Sequence, residues 1–203
     1  MQFENACNKK QKRRVIELQR NCLVLLLCWV LFVNLITCFS SEVSINKIEE
    51  AINNILVDNR AELANSILYL HSQGVVAIPY LIEKISSGQN LSSIDLHNPE
   101  SSIYHFDNNY TGIILAYVIE LILAEDKISV ERLENGYLLL SSYLFTQGIV
   151  KKANTETIKS SDLDEFQKVY QRWWERSKHK SIDELRADYI TKKPLKSSCF
   201  QWF

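Results

Sequence analysis

Glycine and proline are scarce in this chain, at 5 and 3 of 203 residues. With so few turn-forming residues and no sustained apolar/polar alternation, the chain reads as helix after helix. Cysteine is confined almost wholly to one end. Cys7, Cys22, Cys28 and Cys38 lie in or before a single apolar stretch, and only Cys199 follows it. A domain beyond that stretch with one cysteine has no internal disulfide framework and no Cys-x-x-Cys metal or redox pair. Catalytic signatures are missing too. The sequence has no Gly-rich phosphate loop, no His-Glu-x-x-His and no nucleophile elbow around a serine or cysteine. It also lacks the concentrated basic stripe that nucleic acid requires, so no nucleic-acid partner is expected.

What is present begins with Cys22 to Phe39, 18 residues without a charge and with Asn34 as their one strongly polar side chain. As a helix they reach roughly 27 Å at about 1.5 Å per residue, near the shortest span of a hydrocarbon core. Lys9, Lys10, Lys12, Arg13, Arg14 and Arg20 precede the stretch, and no cation follows it until Lys47. The positive flank assigns residues 1–21 to the cytoplasm, 22–39 to a transmembrane or signal helix, and 40–203 to the far side. Such a stretch is an uncleaved signal-anchor, a signal peptide cleaved near Cys38-Phe39-Ser40, or a lipoprotein signal. Leu35-Ile36-Thr37-Cys38 resembles a bacterial lipobox, with Thr37 where a smaller residue is usual. The long basic preface favours the signal-anchor.

The remaining 160 or so residues suit one domain with a real core. Its front is acidic, with 5 Lys/Arg against 14 Asp/Glu over residues 41–150, and its rear is mildly basic, with 12 against 8 over 151–203. Ser44 is placed to cap a first helix, with Ile45, Ile48, Ile52, Ile55 and Leu56 on one face. Asp58 is placed to cap a second, with Ala61, Ala64, Ile67, Leu68 and Leu70 inward and Gly74 as its stop. A third follows from Val75 to Ile85.

Ala77-Ile78-Pro79-Tyr80-Leu81-Ile82-Glu83-Lys84-Ile85, following a short helix and a tight turn, resembles the second helix of a HEAT repeat. The resemblance covers about 30 residues. It implies an all-α domain of helical hairpins in a short HEAT-like stack, a fold whose surfaces bind other proteins. It implies no activity and no cofactor.

Residues 86–109 read as a long loop. Asp95, His97, His105 and Asp107 fall within 13 residues there. Their spacing forces no convergence, and a polar surface loop is the expectation over a metal site. Tyr104 and Phe106 on the same loop are candidate partner contacts, or else pack the loop against the core. Tyr110 to Ala124 is apolar on nearly all sides and is expected to be the central core helix. Its Glu120 is either a buried carboxylate with a raised pKa or, as the expectation favours, the mark of one exposed edge.

Ser129 opens a further helix that stops at Gly148, and Lys151 to Ser160 reads as a polar linker. Asp162 to Lys178 carries an apolar stripe of Leu163, Phe166, Val169, Tyr170, Trp173 and Trp174. Neighbours on a helix lie about 100° apart, so Trp173 and Trp174 cannot share a direction. One is expected in the core and the other beside it or at an interface, and both are candidate partner-binding residues. Ser181-x-x-Glu184 is a capping box. The aromatic tail Pro194 to Phe203 is expected to fold back onto the helices. The expected function is a membrane-tethered helical protein-interaction module of immunity or inhibitor type. The alternatives are a structural subunit of an envelope complex and a metal-dependent enzyme using residues 95–107.

Overall fold

A computed structural model describes residues 45–91, 110–124, 149–153 and 155–202. By its contacts the chain divides into Met1–Asn46 and Lys47–Phe203, and the second unit holds the fold that follows. The apolar stretch 22–39 and its flanks lie outside the described residues. So do Ser44, the loop residues Asp95, His97, Tyr104, His105, Phe106 and Asp107, and the helix expected from Ser129. Among the described residues no helix is long and apolar enough to cross a membrane.

Six α-helices carry most of the described chain. They are α1 (residues 45–56), α2 (Leu63–Gln73), α3 (Ile78–Glu83), α4 (Thr111–Ala124), α5 (Leu163–Ser177) and α6 (Ile182–Lys192). Helix α4 is the centre. Its side chains are apolar all round, and every residue from Thr111 to Leu123 is buried. A helix with no polar face can satisfy its surface only by being surrounded. Helices α2, α3 and α6 pack on it, and α5 packs on α3. Ile48, Ile52 and Ile55 of α1, Ile67 and Leu70 of α2 and Phe166 and Tyr170 of α5 complete the core.

The start of α4 is sewn to the turn after α3. The Thr111 hydroxyl donates to Ser87 Oγ at 2.8 Å, its N–H to Gln89 O at 2.8 Å, and the Gly112 N–H to Ser87 O at 3.2 Å. These bonds satisfy the first-turn donors that no helix can satisfy internally. At this same C-terminal end of α3, Gln167 Nε2 donates to the carbonyls of Ile82 at 3.0 Å and Glu83 at 2.7 Å.

Several boundaries differ from the sequence reading. Asp58 caps nothing. It adopts φ 53°, a left-handed conformation that aspartate tolerates, and α2 begins five residues later after Glu62. Ala61 is therefore exposed. Gly74 does end α2, at φ 57°. The expected third helix is split into a 3₁₀ turn, Gly74–Val76, and the shorter α3. Pro79 has no N–H for the carbonyl four residues back, so the α-helical ladder cannot run through from Val75. The linker from Lys151 is not featureless either. Strand β1 (Ile149–Lys151) pairs antiparallel with β2 (Phe200–Trp202), Val150 opposite Gln201. The domain is thus mostly helical with one small two-stranded sheet, and the aromatic tail does fold back, with Phe200 buried against Phe166.

Lys152 holds the turn before β2. Its Nζ donates to the carbonyls of Leu195, Lys196 and Ser198 at 3.2, 3.1 and 2.7 Å. Lys152→Ala is expected to lower stability by about 1 kcal/mol, less than the roughly 1.5–3 kcal/mol of bonds to charged groups because the lysine is exposed. Urea denaturation checks this, and a loss within error of zero would show that water replaces the ammonium at no penalty.

Candidate functional site

Two features stand out from the packing: a buried carboxylate and a basic cleft beside it. Glu120 lies three-quarters of the way along α4 and is fully buried, contrary to the exposed edge that the sequence favoured. Its burial follows from partners far along the chain. Tyr170 on α5 donates its hydroxyl to Oε1 at 2.7 Å, and Tyr189 on α6 donates to Oε2 at 2.7 Å. One carboxylate thus joins three helices. The Trp202 indole N–H is buried with no hydrogen-bond partner, yet it sits near enough to favour the ionised carboxylate. Its ring meets Tyr117 edge-on at 5.3 Å.

Burial raises the Glu120 pKa above the ordinary glutamate value. Tyr170, Tyr189, Trp202 and the charge of Lys193 pull it down without cancelling the rise. The same burial, with the negative charge of Glu120, pushes the Tyr170 hydroxyl well above the usual tyrosine value. Neither group itself lines the neighbouring cleft, whereas Tyr189, bonded to Glu120, does. The arrangement fastens three helices together.

A pH dependence follows from the sign of the shift. A carboxyl with a raised folded pKa favours the folded state below its unfolded pKa, and that contribution is lost as pH rises through the raised value. Asp162 and Asp188 are shifted down and give the opposite slope. Comparing wild type with Glu120→Gln removes that background. Urea denaturation from about pH 4 to about pH 8 is expected to show wild type losing stability relative to the variant as pH rises. Parallel curves would mean that Glu120 has an ordinary pKa.

The cleft has a volume of about 510 Å³ and lies between the end of α5, the length of α6 and the turn that follows α6. Leu123, Trp173, Leu185, Tyr189 and Pro194 give it apolar and aromatic surface. Arg176, Lys180, Lys192, Lys193 and Lys196 line it together with one carboxylate, Asp188. Lys180 Nζ lies 2.5 Å from Asp188 Oδ2, and Lys192 Nζ lies 3.1 Å from Oδ1. Hydrogen bonds from these two lysines hold the Asp188 carboxyl below the usual range.

The amphipathic spacing of α5 positions one wall. Trp173 is buried and donates its indole N–H to Lys192 O at 3.1 Å, which ties α5 to the end of α6. Trp174 is half-buried beside it, ring centroids 6.0 Å apart. The sequence therefore separated the two tryptophans correctly, and Trp173 is the one that lines the cleft. The Ser181 capping box starts α6 as expected: Ser181 Oγ accepts from the Glu184 N–H at 3.3 Å and Glu184 accepts from the Ser181 N–H at 2.8 Å. The sequence reading did not single out the cleft cations. Lys180 is separated from Lys192, Lys193 and Lys196 by Asp183, Glu184 and Asp188 along the chain, and the two groups come together only in the fold.

Among the described residues no group of three or more His, Cys, Asp or Glu is placed to hold a metal ion. The loop candidates Asp95, His97, His105, Asp107, Tyr104 and Phe106 fall outside those residues. No family model matches the chain, and neither a curated protein nor a solved structure is similar to it.

Proposed function

We propose that this chain is a membrane-tethered helical interaction module whose recognition face is the basic cleft along α6. The observation that carries the reading is the cleft itself, a concave surface with an aromatic floor and a polar rim. That is the anatomy of a contact region that receives an anchor from a partner. The helices around it are held by buried fasteners, Glu120 and Trp173 among them, so the surface is presented rigidly, which limits the ordering penalty of association.

The tether is residues 22–39, which are uncharged and follow a basic segment. Residues 40–203 then lie outside the cytoplasm. In this reading α2 and α3 form part of a short HEAT-like stack, a scaffold suited to presenting surfaces. An immunity or inhibitor role fits such a module, since it works by surface complementarity and needs no catalytic group.

Two experiments test the reading. Intact mass with fractionation is expected to return the full chain in the membrane, and a shorter soluble species would remove the tether. Photo-crosslinking from the cleft rim at Lys196 is expected to trap a protein that the same probe at Asn65 on α2 does not.

A structural subunit of an envelope complex is the second reading. It is favoured if Asn34, within the 22–39 stretch, makes the essential contact through a neighbouring helix. Replacing Asn34 with leucine then abolishes assembly while rim substitutions leave it intact.

A further inference from the structure

We infer that the occupant of the α6 cleft is an acidic, apolar-anchored peptide segment of the partner, whose carboxylates engage Lys193, Lys196 and Arg176. This rests on the reading that the cleft is the recognition face, and it adds the chemistry of what is recognised.

Charge is the first ground. Five cations line the cleft and face one carboxylate. Asp188 occupies Lys180 and Lys192. Arg176 uses its Nε on the Arg172 carbonyl at 3.0 Å. Lys193 acts on the buried Glu120 from beyond ion-pair distance, and among the described residues no carboxylate pairs directly with the Arg176 guanidinium, Lys193 or Lys196. A concave surface with surplus charge of one sign attracts a ligand of the other and concentrates the field more than a flat surface does.

The second ground is that the cleft already receives a carboxylate. Asp188 is gripped on both oxygens by Lys180 and Lys192, at distances from 2.5 to 3.2 Å. Lys193 and Lys196, just past the end of α6, offer the same ammonium-to-carboxylate chemistry to an incoming aspartate or glutamate side chain.

The third ground is shape. About 510 Å³ far exceeds a lone phosphate, and much of the wall is Trp173, Leu185, Tyr189 and Pro194. Apolar wall beside cations suits a chain that alternates carboxylates with apolar side chains. A bilayer surface is flat and does not enter a cleft. Nucleic acid requires a continuous basic track, and on α6 itself Asp183, Glu184 and Asp188 interrupt one.

The test uses the full chain in nonionic detergent, followed by titration calorimetry and Trp fluorescence. The probes are a synthetic decapeptide alternating glutamate with leucine, its lysine counterpart, inorganic phosphate, and vesicles containing anionic lipid. The acidic peptide is expected to bind, with affinity falling as salt rises, and the lysine peptide is not. The double variant Lys193→Glu/Lys196→Glu is expected to weaken binding about tenfold or more, and Asp188→Asn to tighten it a few-fold. Thermal unfolding of both variants checks that the fold is retained. Unchanged affinity in both variants overturns the proposal, as does phosphate binding as tightly as the peptide or vesicle binding with no peptide binding. No peptide binding together with rim-specific crosslinks from Lys196 refutes the acidic-segment inference alone. Absence of rim crosslinks refutes the recognition face itself.

Discussion

Glu120→Leu will destabilise the domain by about 3 kcal/mol, and removing the two tyrosine hydroxyls in the same chain will restore part of that loss. Leucine fills the space beside α5 and α6 but accepts no hydrogen bond. The hydroxyls of Tyr170 and Tyr189, each 2.7 Å from a carboxylate oxygen, are left without their acceptor. A buried donor without a partner is penalised by about 1–3 kcal/mol. Tyr170 is fully buried and takes the full penalty, whereas Tyr189 is half-buried at the cleft and can turn to water. Relief from burying a charge offsets some of the loss. The triple variant Glu120→Leu/Tyr170→Phe/Tyr189→Phe leaves neither tyrosine hydroxyl orphaned, so it should be more stable than Glu120→Leu alone. Urea denaturation of all three proteins measures this. A triple variant less stable than the single one would show that the tyrosines matter for packing rather than as donors to Glu120.

The second large effect lies at the other end of the same helix. A Cβ at Gly112 would stand 1.8 Å from the Ile85 carbonyl oxygen and 2.7 Å from its carbon. Both are backbone atoms, so no side chain can swing aside. The two segments approach this closely because Thr111 and Gly112 bond directly to the turn of Ser87 and Gln89. Gly112→Ala must push α4 away from that turn, breaking these bonds and loosening the core that α4 organises. Overpacking a well-filled site costs typically about 1–3 kcal/mol, and a clash of backbone origin belongs at or above the top of that range. Gly88→Ala is the control, because its nearest atoms are side-chain carbons at 3.5 and 3.7 Å. Thermal denaturation is expected to separate the two by many degrees. Equal melting temperatures would mean that the helix start is not held against the turn.

Much of this architecture was legible in the residues because its cause is local. The all-round apolar run of α4, the stripe of α5, the Ser181 box and the Gly74 stop each follow from spacing or from one residue's conformational habits. Glu120 was misjudged for a physical reason. On its own helix it is a single charge, which normally seeks water, and the donors that let it stay buried come from 50 and 69 residues later. The small sheet escaped notice because three-residue strands leave no periodic pattern and β1 and β2 lie far apart in sequence. The cleft was hidden similarly. In the chain Asp183, Glu184 and Asp188 separate Arg176 and Lys180 from Lys192, Lys193 and Lys196, and only the fold gathers both groups around Trp173. Asp58 shows the converse, a residue of the right type for a cap placed instead at the left-handed corner of a turn.

The central claim, that the cleft along α6 is where a partner docks, is tested most directly by site-resolved photo-crosslinking of the full chain in its native membrane. Probes at Lys196 and Thr191 sit on the cleft rim, and probes at Asn65 and Glu83 sit on α2 and α3, all at exposed positions. One protein partner is expected to be trapped from the two rim positions and lost when Lys193 and Lys196 are both changed to glutamate. Crosslinks that arise equally from Asn65 and Glu83, or that survive the charge reversal undiminished, would contradict it.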